Sequence, residues 1–262
     1  MSAETVVFLH AHPDDEAIFT GGTIAKLAAV GIRVVVVVAT TGELGRSAAA
    51  APAGAELARH RRSETRAACT ALGVWRVEFL GYADSGLPGD PANHAEGSFF
   101  SADPEAAARR VASIVREVGA RTLVTYDPGG IYGHPDHLRV HDVGERAARQ
   151  APVECVYQAT VDREYLHFVE THLVDHARDS IPETRVIGVP SVMVTTMVDV
   201  RAELDAKRAA IAAHGSQVPE ESFVRAMVSA TFAEVYGYEW YVRVGPPGVL
   251  DRIAGGMPGG PT

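Results

Sequence analysis

The sequence predicts an α/β fold in a single domain: a Rossmann-like, doubly wound, mostly parallel sheet with helices on both faces. Apolar β-branched runs alternate with helical patterns over the first 160 residues. The run at 34–38 is continuously hydrophobic, as is typical of strands buried on both faces. Such strands alternating with helices favour a parallel sheet. A chain of 262 residues with no obvious linker fits one domain.

The elements follow in order along the chain. Strands are predicted at 5–9, 33–39, 74–80, 121–126 and 153–160, followed by helices at 20–30, 55–72, 104–118, 136–149 and 163–175. Beyond these we expect short β runs at 185–188 and 191–198, helices at 200–213 and 220–235, and a last strand at 239–244. The Gly- and Pro-rich residues 255–262 are expected to form a disordered tail. The long segments 42–54 and 81–101 follow strands and are expected to line a site.

Composition excludes several classes of function. The formal net charge of -9 argues against non-specific binding to nucleic acid. The two cysteines, Cys69 and Cys155, are far apart and form no CxxC, so neither a disulfide framework nor a cysteine zinc site is indicated. The sequence shows no signal peptide and no membrane span, and we expect a cytoplasmic protein. Homo-oligomerisation is left open.

Two clusters of imidazoles and carboxylates follow predicted strands. One, His12-Pro13-Asp14-Asp15, comes just after strand 5–9, and the other, His134-Pro135-Asp136-His137, comes after strand 121–126. Ligands of doubly wound sheets bind beyond the carboxyl ends of the strands, where the two clusters could meet. A catalytic zinc takes three ligands from His, Asp or Glu and keeps one position open for water. His12 and Asp15 therefore become candidate ligands, with a third from His134 or His137.

An open metal position lowers the pKa of water, and a nearby carboxylate can take its proton. Asp14 is placed for that role. The second-cluster histidine that is not a ligand could stabilise an oxyanion, with a hydrogen bond from Tyr132. Taken singly, His12 could be a core histidine and Asp14 or Asp15 a helix N-cap. His10 is expected behind the site or in the core, and Glu16 could be a first-turn residue favoured by the helix dipole.

These residues resemble the PIG-L/LmbE family of zinc-dependent deacetylases, which share an N-terminal His-Pro-Asp-Asp-Glu and a later His-Pro-Asp-x-His-like block. The resemblance covers most of the chain. It extends over Gly21-Gly22-Thr23-Ile24-Ala25, Thr41-Gly42-Glu43-Leu44-Gly45, Arg61-Arg62-Ser63-Glu64, Asp84-Ser85-Gly86, Lys207-Arg208-Ala209-Ala210 and His214-Gly215-Ser216-Gln217. It implies a deacetylase domain over 1–254.

The resemblance also implies the roles of the site residues. His12, Asp15 and His137 would be the zinc ligands, although ligand type alone also admits iron or cobalt. Asp14 would be the general base, His134 would stabilise the oxyanion and could act as acid, and Asp136 would orient His134. Arg61 and Asp84 would hold the sugar, and Glu43 would reach the group attached to it. An ion pair between Arg61 and Glu64 on one helix is the alternative for that arginine.

Within the family, the motifs are most similar to enzymes of the actinobacterial mycothiol pathway, a deacetylase of N-acetylglucosaminyl-inositol and an amidase of mycothiol S-conjugates. The Ala-rich stretch within 42–58 departs from their more polar loop. The expected function is removal of the N-acetyl group from an N-acetylglucosamine-type small molecule by a zinc-bound water. The alternatives are an amidase acting on a larger amide and, from another class, a non-catalytic sugar-binding module. A nucleotide site and a serine hydrolase are disfavoured because neither G-x-G-x-x-G nor G-x-S-x-G is present.

Overall fold

The computed structural model of the protein describes residues 4–45, 54–172, 187–220 and 222–254. Within these ranges, seven strands form one sheet. They are β1 (Thr5–His10), β2 (Arg33–Thr40), β3 (Arg76–Tyr82), β4 (Thr122–Tyr126), β5 (Cys155–Thr160), β6 (Thr196–Asp199) and β7 (Tyr238–Val244).

The helices of the described ranges are α1 (Asp15–Phe19), α2 (Gly21–Ala29), α3 (Gly54–Ala71), α4 (Pro104–Val118), α5 (Gly130–Gly133), α6 (Pro135–Gln150), α7 (Arg163–His172), α8 (Leu204–Ala213), α9 (Phe223–Ala226), α10 (Ser229–Tyr236) and α11 (Val249–Ile253). Short 3-10 turns occur at Pro91–His94, Ser191–Met193 and Arg201–Glu203. None of these helices combines the length and the apolar character that crossing a membrane requires.

The strand order is β3-β2-β1-β4-β5-β7-β6. The first five strands pair in parallel, and β7 pairs antiparallel with both β5 and β6. From β1 the chain winds outward through β2 to β3, then crosses back to β4 and continues to β5. The order therefore reverses between β1 and β4, which is the topological switch point where doubly wound sheets bind ligands.

Helices cover both faces of the sheet. On one face α2 and α3 pack against α8, and on the other α4 packs against α6. Right-handed crossovers require this arrangement, because the return from β3 to β4 runs in the opposite direction along the sheet from the earlier connections. The central strands between these layers are buried along their length: 6–9 in β1 and 34–39 in β2 are all within 1% of complete burial.

The predicted fold class is confirmed, and many predicted elements lie within two residues of their observed positions. Helix α4, for example, begins where Asp103 accepts the N–H of Glu105 and ends at Gly119, whose φ of 65° is a left-handed C-cap. The predicted strand at 153–160 starts two residues later, and the strand at 74–80 is observed as β3 at Arg76–Tyr82.

The helix predicted at 20–30 is observed as α2, and a further short helix, α1, precedes it, separated from it by a non-helical Thr20 (φ -136°). Four other predicted elements differ in the structure. The strand at 191–198 is a 3-10 turn followed by β6, and the helix at 200–213 likewise begins with a 3-10 turn before α8. The helix at 220–235 is split into α9 and α10. Of the β run at 185–188, the described residues 187–188 are not in a strand, and 185–186 lie outside the described residues, as do 173–175 and the tail at 255–262.

Candidate metal centre

The first cluster lies on the tight turn between β1 and α1. His12 and Asp15 are buried, and the backbone N–H of His12 donates to Asp15 Oδ2 at 2.8 Å. Asp14, the residue before α1, has φ 105° and ψ -27°, a left-handed conformation that non-glycine residues rarely adopt. Strain of this kind is retained where the surrounding structure enforces it, often at functional sites.

The second cluster opens α6. His134 is the N-cap of this helix, Pro135 occupies its first position, and Asp136 and His137 follow in the first turn. The approach to this helix depends on Gly130, whose φ is 60° and at which a Cβ would lie only 2.9 Å from the Cβ of His137. The turn therefore fixes the position of His137 through a close backbone approach that only glycine allows.

The two clusters meet at the switch point, as the sequence predicts. Ligand atoms of His12, Asp15 and His137 all lie within 4.8 Å of one another. Asp15 Oδ2 is 3.4 Å from His137 Nε2 and 3.6 Å from His12 Nδ1. Two donors held at about 2.1 Å from one tetrahedral ion would lie about 3.4 Å apart, so this donor set fits a zinc-sized ion.

A second group overlaps the first and contains His12, Asp84, His134 and Asp136. Its polar atoms are engaged with each other and with Ser85. The carboxylate of Asp136 accepts from His12 Nε2 at 3.1 Å and from the N–H of Ser85 at 3.0 Å, and it also bonds the Ser85 hydroxyl. Asp136 therefore has the geometry of a carboxylate that orients a ligand histidine from behind.

Asp136 contacts His134 differently from the predicted way. Its backbone N–H donates to His134 Nδ1 at 3.2 Å, whereas its carboxylate is 4.0 Å from that nitrogen. Since Nδ1 accepts a hydrogen bond, the proton of the neutral ring sits on Nε2. Burial, together with His12 and His137, lowers the pKa of His134 to about 3. At neutral pH His134 is thus a neutral imidazole whose Nε2–H can donate.

The two neighbouring aspartates differ in the direction of their pKa shifts. Burial raises the pKa of Asp15, but His137 and His12 more than offset this, so that its pKa falls well below the usual range and the carboxylate stays charged. Burial also raises the pKa of Asp14, to about 6, and the charge of Arg61 only partly opposes it. A carboxylate with a pKa near the working pH is suited to taking up and returning a proton.

Arg61 lies against Asp14. Its Nη2 is 3.1 Å from Asp14 Oδ2 and donates to the carbonyl of Pro13 at 2.5 Å, while Nη1 donates to the carbonyl of Gly42. The alternative ion pair with Glu64 is not formed in the structure: the Glu64 carboxylate accepts from the N–H and hydroxyl of Ser216 and pairs with His60. A sugar contact by Arg61 stays a prediction.

An open cleft of about 510 Å³ leads to these residues and is lined by His12, Asp14, Asp15, Ile18, Phe19, Leu44, Gly45, Arg61, Asp84, Gly86, Leu87, Asp90, Tyr132, His134 and Gln217. The loops predicted to line a site thus do so at 44–45 and 84–90. Asp84 faces the cleft, with Oδ1 3.8 Å from His12 Nε2. Glu43 instead joins the two loops, accepting the N–H of Asp84 at 3.1 Å and the hydroxyl of Thr41. Substrate contacts by Asp84 and Glu43 stay predictions.

Tyr132 lies beside the candidate ligands, with its hydroxyl 3.2 Å from His137 Nε2. Sequence reasoning missed a second tyrosine, Tyr126, at the end of β4. Its hydroxyl donates to Asp15 Oδ2 at 2.9 Å and lies 3.0 Å from His10 Nδ1. The expectation that His10 lies behind the site is therefore confirmed. A tyrosine at the end of a buried strand gives no sequence signal that separates it from the core.

The fold and the site together define a doubly wound α/β protein with a buried imidazole–carboxylate cluster at its switch point. A family model described as PIG-L: GlcNAc-PI de-N-acetylase matches residues 7–148. A 1D-myo-inositol 2-acetamido-2-deoxy-alpha-D-glucopyranoside deacetylase from Thermobispora bispora is 38% identical over 285 aligned positions, covering 97% of this chain and 92% of the relative. The chain belongs to the PIG-L family, and the resemblance stated from its motifs is confirmed.

Solved structures share the fold. The N,N'-diacetylchitobiose deacetylase from Pyrococcus horikoshii superposes with a TM-score of 0.64 at 21% identity, over 93% of this chain and 84% of its own. GalB, a 4-carboxy-2-hydroxymuconate hydratase, superposes with a TM-score of 0.58 at 19% identity, over 94% of this chain and 98% of its own. Because this fold also carries a hydratase, the reaction has to be argued from the site residues.

Proposed function

We propose that the protein is a metal-dependent N-deacetylase of a small N-acetylglucosamine-type sugar, and that N-acetylglucosaminyl-inositol is the first substrate to test. The observation that supports this most directly is geometric: the ligand atoms of His12, Asp15 and His137 lie within 4.8 Å of one another, and Asp14 lines the same cleft beside them. Curated relatives named as deacetylases of this inositol glycoside support the substrate class.

The metal would be held by His12, Asp15 and His137, and we propose zinc because the donor spacing fits a tetrahedral ion. When bound there, a divalent ion polarises the acetamide carbonyl and lowers the pKa of a water molecule. The carboxylate of Asp136 holds His12 from behind through Nε2, which leaves Nδ1 of that ring directed toward Asp15.

The protein's own side chains then supply proton transfer and charge stabilisation. Asp14 takes a proton from the attacking water and returns it to the amine nitrogen as the C–N bond breaks, which releases acetate and the free amino sugar. His134 donates from Nε2 to the oxygen that becomes negatively charged. Its pKa of about 3 supports the role of neutral hydrogen-bond donor, and we therefore propose that Asp14 returns the proton.

The first experiment measures acetate release from N-acetylglucosamine and from N-acetylglucosaminyl-inositol by zinc-reconstituted protein, with a chelated control. A bulky cysteinyl amide is assayed beside them to detect the amidase alternative. We expect metal-dependent release, faster from the inositol glycoside. Release from neither sugar, with about one metal still bound per chain, would refute the deacetylase. Cleavage of the bulky amide alone would establish the amidase.

The Asp14→Asn variant tests the base. We expect kcat to fall by about 10²- to 10⁴-fold, the usual contribution of a general acid–base residue, with metal content unchanged. Asp103→Asn is the matched control, since Asp103 is an exposed helix N-cap for which asparagine is an equivalent cap. Turnover by Asp14→Asn equal to that of the control would remove Asp14 from the mechanism.

A further inference from the structure

Glu16 and His214 form a buried pair directly behind the candidate base. Glu16 is in the first turn of α1 and His214 is the C-cap of α8, 198 residues away along the chain. Their side chains are both fully buried, and His214 Nε2 donates to Glu16 Oε1 at 2.6 Å. Neither residue takes part in the proposed reaction.

The other carboxylate oxygen of Glu16 contacts the backbone of the base. The N–H of Asp14 donates to Glu16 Oε2 at 3.0 Å. Asp14 is the residue with φ 105°, and its conformation turns its carboxylate to the cleft side, where Arg61 lies 3.1 Å away. A strained conformation persists only when neighbouring groups determine it, and this hydrogen bond is such a determinant.

The helix dipole alone does not account for Glu16. A first-turn carboxylate that only complements the dipole needs no specific partner and can stay in contact with water. Glu16 is instead removed from solvent, and its two oxygens are directed at two specific donors, the N–H of Asp14 two residues before it and the imidazole of His214. Burying a carboxylate is costly unless it is fully paired, which indicates that the position serves a purpose beyond the stability of α1.

We propose that Glu16, itself held by His214, is a positioning residue that keeps Asp14 in its left-handed conformation and its carboxylate aimed at the reacting water. The inference rests on the proposed role of Asp14 as the base. It assigns no contact with substrate or metal to Glu16 or His214. The pair acts only through the backbone of Asp14.

The test compares removal of the hydrogen bonds with their conservative replacement. In Glu16→Ala the N–H of Asp14 loses its partner, and we expect kcat to fall about 10- to 100-fold, as misplacement of a catalytic group does, with KM within about twofold and about one metal per chain. In Glu16→Gln the amide oxygen can accept from Asp14 while the amide nitrogen donates to a neutral His214. This variant should recover most of kcat.

A second pair of variants tests the same hydrogen bond by changing His214 instead of Glu16. His214→Ala should lower kcat with little change in KM or metal content, and His214→Gln, which retains a donor, should restore it. The two pairs keep the test decisive where one alanine variant fails to fold.

Glu239→Gln is the matched control. Glu239 is another buried carboxylate that accepts two backbone N–H groups, from Gly22 and Thr23 at 2.8 Å each, and pairs with a buried cation, Lys207. Its hydrogen-bond partners are Gly22, Thr23, Lys207 and Tyr241, none of which is a candidate site residue, so its replacement should lower the unfolding temperature and leave kcat near wild type.

Three outcomes would overturn the inference: kcat of the alanine variants within about twofold of wild type, a loss of metal in proportion to the loss of activity, or a glutamine variant as impaired as the alanine variant at both positions. Asp14→Asn is measured in parallel. If it stays active, the proposed base itself fails, whereas an inactive Asp14→Asn beside an active Glu16→Ala rejects only the positioning role.

Discussion

Asp136→Asn tests the carboxylate behind His12. Three donors converge on this buried side chain: His12 Nε2 at 3.1 Å, the N–H of Ser85 at 3.0 Å and the Ser85 hydroxyl. An amide is uncharged, so the charge-assisted hydrogen bond to His12 is lost, and the Ser85 hydroxyl must reverse to accept from the amide nitrogen. A hydrogen bond to a charged group contributes about 1.5–3 kcal/mol.

The loss of this hydrogen bond should appear as weaker metal binding. Burial lowers the pKa of His12, but the hydrogen bond that its imidazole donates to Asp136 and the charges of Asp15 and Asp84 more than compensate and raise it to about 9, so the wild-type imidazole is an unusually basic ligand. Removal of the partner behind a ligand histidine typically weakens metal binding by about 10- to 100-fold. That range corresponds to about 1.4–2.7 kcal/mol, in agreement with the contribution of the lost charge-assisted hydrogen bond.

The measurement is a competition titration of Zn²⁺ between the protein and a chelating dye, for wild type and variant. The control is Asp251→Asn, a carboxylate that likewise gathers several donors, including Thr196 Oγ1 at 2.7 Å, at a distance from the cluster. A Kd within about threefold of wild type for Asp136→Asn, or an equal weakening in the control, would refute the reasoning.

Two further predictions concern stability. Burial lowers the pKa of His214, but Glu16 and Asp14 offset this and raise it above the usual 6.5, so its stabilising contribution is complete below pH 6.5 and is lost as the pH rises through the folded-state pKa. Chemical unfolding at pH 6 to 9 should therefore show the destabilisation by His214→Gln shrinking with pH; a constant or growing difference contradicts this. Gly130→Ala, at φ 60° and 2.9 Å from the Cβ of His137, should lower both stability and metal content, whereas unchanged zinc binding would show that this close approach is dispensable.

The central strands could be predicted because burial on both faces leaves a direct trace in the sequence. The valines of 34–38 permit no other interpretation once helices flank them. The breaks within predicted helices could not be predicted in this way. The helical pattern over 220–235 is interrupted at Met227 and Val228, which are extended although neither is a glycine or a proline. Their conformation follows from packing, since Met227 is buried while Val228 is exposed.

The candidate ligands His12 and Asp15 could also be predicted, because their residue types and spacing are short-range signals, whereas the choice of His137 over His134 came from the family resemblance. The long-range contacts that hold the ligands and the base in place could not be predicted. Asp136 contacts His12 across 124 residues, and Arg61 contacts Asp14 across 47. Nothing in the local sequence of α3 distinguishes an arginine that turns inward from its exposed neighbours. Contacts of this kind are decided by how the crossovers bring loops together above the sheet.

The residues of the candidate site come from two separate parts of the sequence. The stretch matched by the family model, 7–148, contains all three candidate ligands and the candidate base. The buried imidazole of His214 and the cleft residue Gln217 come from 214–217, outside that stretch. The candidate ligands and the base thus lie in one part of the sequence, whereas the residue that supports Asp14 and one cleft residue come from another. Exchange of the 204–217 segment between relatives should alter turnover while leaving metal occupancy intact.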